Sequence, residues 1–148
     1  MVDIRSYLSG FVDGEGCFCV SLNKSRRHQF GWEIRPSFSV SQNGDRAEVL
    51  ETLKQYFSCG TIRADRSDKT LKYEVRSVAN LVEKVIPHFE ANPLLSGKQR
   101  DFELFAQICR MMYQGEHRTK EGFKRILELA FEMNPSGNRK YAKEEIKI

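Results

Sequence analysis

Asp13 and Glu15 are the side chains whose type and spacing first suggest chemistry. They close the string Leu8-Ser9-Gly10-Phe11-Val12-Asp13-Gly14-Glu15-Gly16. Upstream, Ile4, Tyr7, Leu8 and Phe11 recur at helical spacing behind Asp3, a suitable N-cap. The spacing therefore predicts a helix over residues 3–12, ended by Gly14 and Gly16. The small residues Ser9 and Gly10 would let another backbone come close to it. A helix C-terminus leaves carbonyl oxygens unpaired and carries partial negative charge. With the Glu15 carboxylate and the Gly14 carbonyl added, that end becomes a hard-oxygen site suited to a divalent cation such as Mg²⁺. A glycine C-cap followed by an ordinary surface acid would give the same short string.

The elements that must position this string follow in order. Residues 17–23 and 29–41 alternate apolar and polar side chains, which predicts two strands with one wet face. Pro36 calls for a bulge or an edge position in the second. Residues 24–28, Lys-Ser-Arg-Arg-His, make a basic turn between them. Helical spacing returns over 45–57, strands are predicted at 60–66 and 69–78, and helices near 80–90, 97–113 and 120–133. Ser96 and Thr119 are candidate caps, and Asn134-Pro135 is a stop. Strand pairs separated by a helix favour an α+β domain with an antiparallel sheet and helices on one side. One domain over 1–133 and a polar, loosely ordered tail over 134–148 are expected.

The 148 residues carry 24 Lys and Arg against 20 Asp and Glu. The surplus is local: five basic side chains against two acids in residues 17–46, and five against three in 60–78. A basic excess in the predicted sheet fits a polyanion, of which nucleic acid is the commonest. No run reaches the ~18 apolar residues of a membrane span, and the N-terminus lacks a signal-peptide pattern. An intracellular setting, in an organelle or a bacterial cytoplasm, is expected. Cys17, Cys19, Cys59 and Cys109 form no C-x-x-C pair and read as reduced core thiols. His28, His88 and His117 share no metal-ligand spacing, and no phosphate-loop or nucleophile-elbow motif occurs.

The string Leu8 to Gly16 resembles the LAGLIDADG motif of homing endonucleases, with Ser9 for the first Ala, Phe11-Val12 for Leu-Ile and Gly14-Glu15 for the second Ala-Asp. The resemblance implies an αββαββα unit with a saddle-like antiparallel sheet and, here, extra C-terminal helices. The motif occurs once, which is similar to members that act as homodimers through paired motif helices. Tyr7, Ser9, Gly10, Phe11 and Asp13 would then lie at the interface, with Asp13 bracing the helix end. Glu15 would be the metal-binding acid and Gly14 would offer its carbonyl. Gln42, ending the strand Phe38-Ser39-Val40-Ser41-Gln42, would orient the attacking water. Arg46 and Lys98 are similar in position to basic residues near the scissile phosphate.

The sheet's polar face would read double-stranded DNA in the major groove. Ser21, Asn23, Glu33, Arg35, Ser37 and Ser39 come from the first strand pair, and Thr61, Arg63, Asp65, Lys72, Glu74 and Arg76 from the second. Arg26, Arg27 and His28 would touch phosphates or outer bases. The implied activity is metal-dependent cleavage of both strands of a long, partly palindromic site, in homing of a mobile intron. Mg²⁺ would serve, Mn²⁺ would substitute, and Ca²⁺ would support binding without cleavage. The alternative is a non-cleaving nucleic-acid-binding protein on the same fold, either an RNA maturase or a transcriptional regulator. The acid at position 15 argues against that alternative.

Overall fold

Asp3 caps the first helix by accepting a hydrogen bond from the Arg5 backbone N–H at 3.1 Å. Helix α1 (Ile4–Glu15) runs three residues past the predicted end and takes Gly14 into its last turn. Leu8, Ser9 and Val12 face the interior, while Ile4 and Tyr7 stay exposed. The expected single apolar stripe is thus two stripes, one inward and one outward. This computed structural model describes residues 1–65, 69–134 and 139–148. The end of the strand predicted over 60–66 and the proline of the Asn134-Pro135 stop fall outside the described residues.

After α1 the chain forms β1 (Gly16–Lys24), β2 (Trp32–Asn43), α2 (Glu48–Phe57), β3 (Thr61–Ala64) and β4 (Thr70–Val75). The four strands make one antiparallel sheet in the order β1-β2-β4-β3. Register runs from Gly16 opposite Val40 to Lys24 opposite Trp32. β4 joins β2 only from Phe38 onward. Pro36 therefore lies where β2 has a neighbour on one side alone, an edge position that needs no donor there.

The helical run after β4 has three parts: α3 (Val78–Asn80), a π segment (Leu81–Val85) and α4 (Ile86–Ala91). Pro87 opens α4 and has no N–H to donate. The wider i→i+5 turn before it, with Ile86 N–H bonded to the Leu81 carbonyl, carries the helix past the proline. Helices α5 (Lys98–Tyr113) and α6 (Lys120–Glu132) complete the frame, and Thr119 caps α6 through Gly122 N–H at 3.0 Å.

All of the core lies on one face of the sheet. Phe18 sits at its centre, 5.2 Å from the rings of Phe38, Phe102 and Phe105 and 5.4 Å from Phe89. One strand residue thus ties the sheet to α4 and α5. Residues 139–148, expected as part of a loose tail, pack back on this frame. Tyr141 meets Trp32 edge-on at 4.9 Å, Arg139 donates to the Val20 and Ala130 carbonyls, and Ile146 is buried. Among the described residues no helix is long and apolar enough to cross a membrane.

Candidate active site and nucleic-acid interface

The C-terminus of α1 is built from two distant pieces of chain. Gly16 takes an extended conformation, and its N–H bonds to the Val12 carbonyl as the chain turns into β1. A Cβ at this position would lie 2.6 Å from Val12 Cγ1 and 3.0 Å from Val12 O, so the close approach demands glycine. Gly14 differs: a Cβ there meets nothing within 4 Å, and its surface is open.

The loop before α5 is stapled to this end. Asp13 Oδ2 accepts from the backbone N–H groups of Leu95 at 3.0 Å and Ser96 at 3.1 Å, and Oδ1 accepts from the Ser96 hydroxyl. The Ser96 hydroxyl, then the two backbone donors, hold the Asp13 carboxyl below the usual carboxylate range against the opposing effect of burial. Ser96 Oγ also accepts from Lys98 N–H at 3.2 Å, but the N-cap of α5 is Gly97, one residue after the expected cap. The loop delivers Lys98, whose ammonium donates to Val12 O at 3.0 Å and Gly16 O at 2.6 Å. A cation on a helix's last carbonyls is electrostatically favourable. Glu15, between those two carbonyls in sequence, is exposed.

The expected interface residues divide. Tyr7 and Gly10 are exposed and Phe11 is half-buried beside Tyr7. Ser9 instead faces inward: its hydroxyl donates to the Asn92 carbonyl at 2.6 Å and lies 3.0 Å from His88 Nε2. His88 Nδ1 is 2.8 Å from the Tyr56 hydroxyl. Because the Ser9 proton is used on Asn92, all three groups are satisfied when His88 donates from Nε2 and accepts at Nδ1. Burial, with Arg5 nearby, pushes the His88 pKa down and favours that neutral form. Asp13 likewise serves its own chain, through the 95–98 loop.

Gln42 and Arg46 sit at the same end of the sheet, since Gly16 pairs with Val40 and β2 continues past it. Gln42 has the parity of the buried Phe38 and Val40, and its amide donates to the Ser41 carbonyl at 2.8 Å. Arg46 is exposed in a 3-10 turn, Gly44–Arg46. Neither is hydrogen-bonded to the α1 end among the described residues.

Strand register puts the proposed reading residues on one face. Ser21 is opposite Arg35, Asn23 opposite Glu33, Ser39 opposite Glu74, Glu74 opposite Thr61, and Lys72 opposite Arg63. Ser37 falls in with them, and Arg76 follows β4 with matching parity. Arg26, Arg27 and His28 lie exposed in the β1–β2 connection, where Ser25 Oγ meets His28 Nδ1 at 2.7 Å. Asp65 follows β3 and donates its N–H to the Thr70 carbonyl. Register also places Cys17 and Cys19 on this face, opposite Ser39 and Ser37, so these two thiols are not core residues as expected. The alternation that marks Ser21 and Asn23 reaches back to both cysteines, and their apolar type concealed it.

The family model for the LAGLIDADG endonuclease matches residues 8–109, from the motif helix through most of α5. The chain belongs to that family. Among solved structures, this LAGLIDADG chain is similar to the homing endonuclease I-TnaI, with 39% identity and a TM-score of 0.89, covering 99% of this chain and 100% of that one. It is also similar to the archaeal intron-encoded homing endonuclease I-Vdi141I complexed with DNA, with 32% identity, a TM-score of 0.88, and coverage of 97% and 91%. Among curated relatives, the probable intron-encoded endonuclease 2 of Neurospora crassa is 33% identical over 130 residues, 87% of this chain and 29% of that protein. The chain spans 24–29% of the length of the first such relatives.

Proposed function

We propose that two copies of this LAGLIDADG chain form a site-specific endonuclease that hydrolyses both strands of a long, partly palindromic DNA target, as in the homing of a mobile intron. One observation carries the reading: the Lys98 ammonium rests on the Val12 and Gly16 carbonyls, beside the exposed Glu15. Lysine near a helix C-terminus is a common cap. Here it is brought from 82 residues away in sequence to flank an acid that an interface helix alone would not need.

The donors fit a hard divalent cation. Glu15 supplies an exposed carboxylate, Gly14 a carbonyl at the helix end, and the space at Gly14 is open. Among the described residues no three His, Cys, Asp or Glu side chains of one chain gather as a metal site. A second α1 would supply the missing carboxylate. The outward stripe of α1 offers the surface for it: Ile4 and Tyr7 are exposed, Gly10 is open, and Leu95, held by Asp13, is 96% exposed alongside. Such an isologous pairing has two-fold symmetry and predicts a matching target symmetry.

Bound Mg²⁺ would polarise the phosphate and make a coordinated water more acidic; Mn²⁺ would replace it, and Ca²⁺ would permit binding alone. Within the protein, Glu15 holds the charge the cation needs. Lys98 stabilises negative charge developing at the scissile phosphate. Gln42 orients the attacking water once its amide leaves Ser41, and Arg46 contacts the phosphate nearby. Asp13 keeps the loop that presents Lys98.

Glu15→Gln keeps the size of the side chain and removes its charge. Cleavage of a cognate duplex in Mg²⁺ should fall by orders of magnitude while binding in Ca²⁺ survives. Undiminished cleavage by this variant would end the reading.

A further inference from the structure

Glu74 is the one acid that is buried among the described residues, with 9% exposure. It lies in the middle of the sheet's polar face, flanked across strands by Ser39 on β2 and Thr61 on β3. Burying a carboxylate is unfavourable unless it is paired, and three cations pair with it. Arg63 Nη2 and Arg76 Nε approach Oε1 at 3.2 and 3.8 Å, and Lys72 Nζ approaches Oε2 at 4.0 Å. The guanidinium groups remain accessible, with side chains 59% and 48% exposed. One buried acid thus sits beneath cations whose outer sides are open.

An acid is a poor choice for a face that only attracts phosphate, since it repels the same charge. A guanidinium free to swing finds phosphates, and phosphate contacts carry no sequence information. One already held in place loses less freedom when it grips a base edge. Resting on the DNA-reading assignment of this face, we propose that Glu74 is a positioning residue for sequence readout. It holds Arg63, Arg76 and Lys72 as one preset cluster, and that cluster reads guanine through O6 and N7 in the major groove.

The test uses the full chain in Ca²⁺. A site is selected from a randomised duplex library with the wild type, and dissociation constants are measured for its single-base-pair variants and for an unrelated duplex at two salt concentrations. Glu74→Gln should lose about tenfold discrimination at one or two adjacent G·C pairs per half-site. Its binding to the unrelated duplex should tighten, with a salt slope steeper by about one as a released cation moves to phosphate. A purely structural role would weaken binding to every duplex instead. Glu74→Asp, which keeps the charge, should restore part of the discrimination. Arg63→Ala and Arg76→Ala alter exposed side chains and should relax the same or adjacent base pairs; this arm decides the matter if Glu74→Gln does not fold. Unchanged base preference in Glu74→Gln overturns the inference, as do uniform weakening and separate positions for the two arginines. A wild type that selects no sequence overturns the DNA reading and this inference with it. A wild type whose selected sequence Glu74→Gln shares in full overturns this inference alone.

Discussion

The end of α1 and the polar face of the sheet are both lined with charge, yet the charges are held in different ways. At α1 they bond to main chain: Asp13 to the Leu95 and Ser96 N–H groups, Lys98 to the Val12 and Gly16 carbonyls. On the sheet they bond to one another, as Arg35 does to Glu33 at 2.9 Å and Arg63 to Glu74. Main-chain partners move only when the fold moves, and a reaction that needs sub-ångström placement is best anchored there. Side-chain pairs on a strand surface can be exchanged without touching the backbone. Under the proposed function, the difference teaches where this fold tolerates change: recognition can be rewritten residue by residue on the sheet, whereas an alteration at the end of α1 affects chemistry and folding together.

The largest effect should come from denying the α1 end the second copy proposed for it. A Cβ added at the exposed Gly10 meets nothing within 4 Å in the single chain, and a helix gains roughly 0.8–1 kcal/mol when a better helix former replaces an exposed glycine. Gly10→Leu should therefore give a monomer at least as heat-stable as the parent protein and without cleavage activity. Sedimentation that shows an intact dimer would remove this helix from the interface. Next in size is Lys98→Met, which keeps length and loses charge. Cleavage should fall about a hundredfold, within the range seen when a charge-stabilising donor is removed. Denaturant unfolding should show a loss of about 1–2 kcal/mol as two carbonyls lose a charged donor. Activity and stability falling together is the signature of main-chain anchoring; loss of activity alone would break the comparison.

Asp13→Asn tests the same staple more gently and should cost about 1 kcal/mol of stability. Its pH dependence sharpens the point. The folded carboxyl titrates below its ordinary value of 3.8, chiefly through the Ser96 hydroxyl. The stability it contributes is then fully present above that value and lost as pH falls through the lower folded pKa. Thermal melts of the parent protein should show this acid limb, and melts of the Asn variant should show it diminished.

Periodicity made most of the frame legible before the fold was known. Alternation in β1 and β2 sorted Phe18, Val20, Phe38 and Val40 from Ser21, Arg35 and Ser39, and register confirms that sorting. Periodicity could not show that α1 has two partners. Ile4, Tyr7, Leu8 and Phe11 form one pattern in sequence, but only Leu8 among them is buried, and Ser9 turns inward because His88 and Asn92 meet it there. Those contacts join residues about 80 positions apart, as does Lys98 on Gly16, and no local spacing encodes them. Gln42 has an even number, which groups it with the core-facing Phe38 and Val40, and its amide bonds to the Ser41 carbonyl. The polar composition of the last residues hid Tyr141 and Ile146, which with Arg139 pack 139–148 on the sheet and its core.

Arg35 gives the smallest expected effect and the cleanest contrast with Lys98. Its side chain is 42% exposed and pairs with Glu33, itself 28% exposed and 3.9 Å from His28. Exposed ion pairs contribute roughly 0–1 kcal/mol, so Arg35→Ala should leave unfolding free energy within ~0.5 kcal/mol of the parent value. Its effect should fall on DNA alone. If the guanidinium touches a phosphate, affinity should drop for all duplexes and the salt slope should shrink by about one. If it reads a base, the slope should hold and discrimination should relax at one base pair of each half-site. Filter binding at several salt concentrations separates the two, and either outcome keeps recognition apart from folding. A stability loss as large as that of Lys98→Met, with DNA affinity unchanged, would instead put Arg35 with the fold and erase the distinction between the two regions.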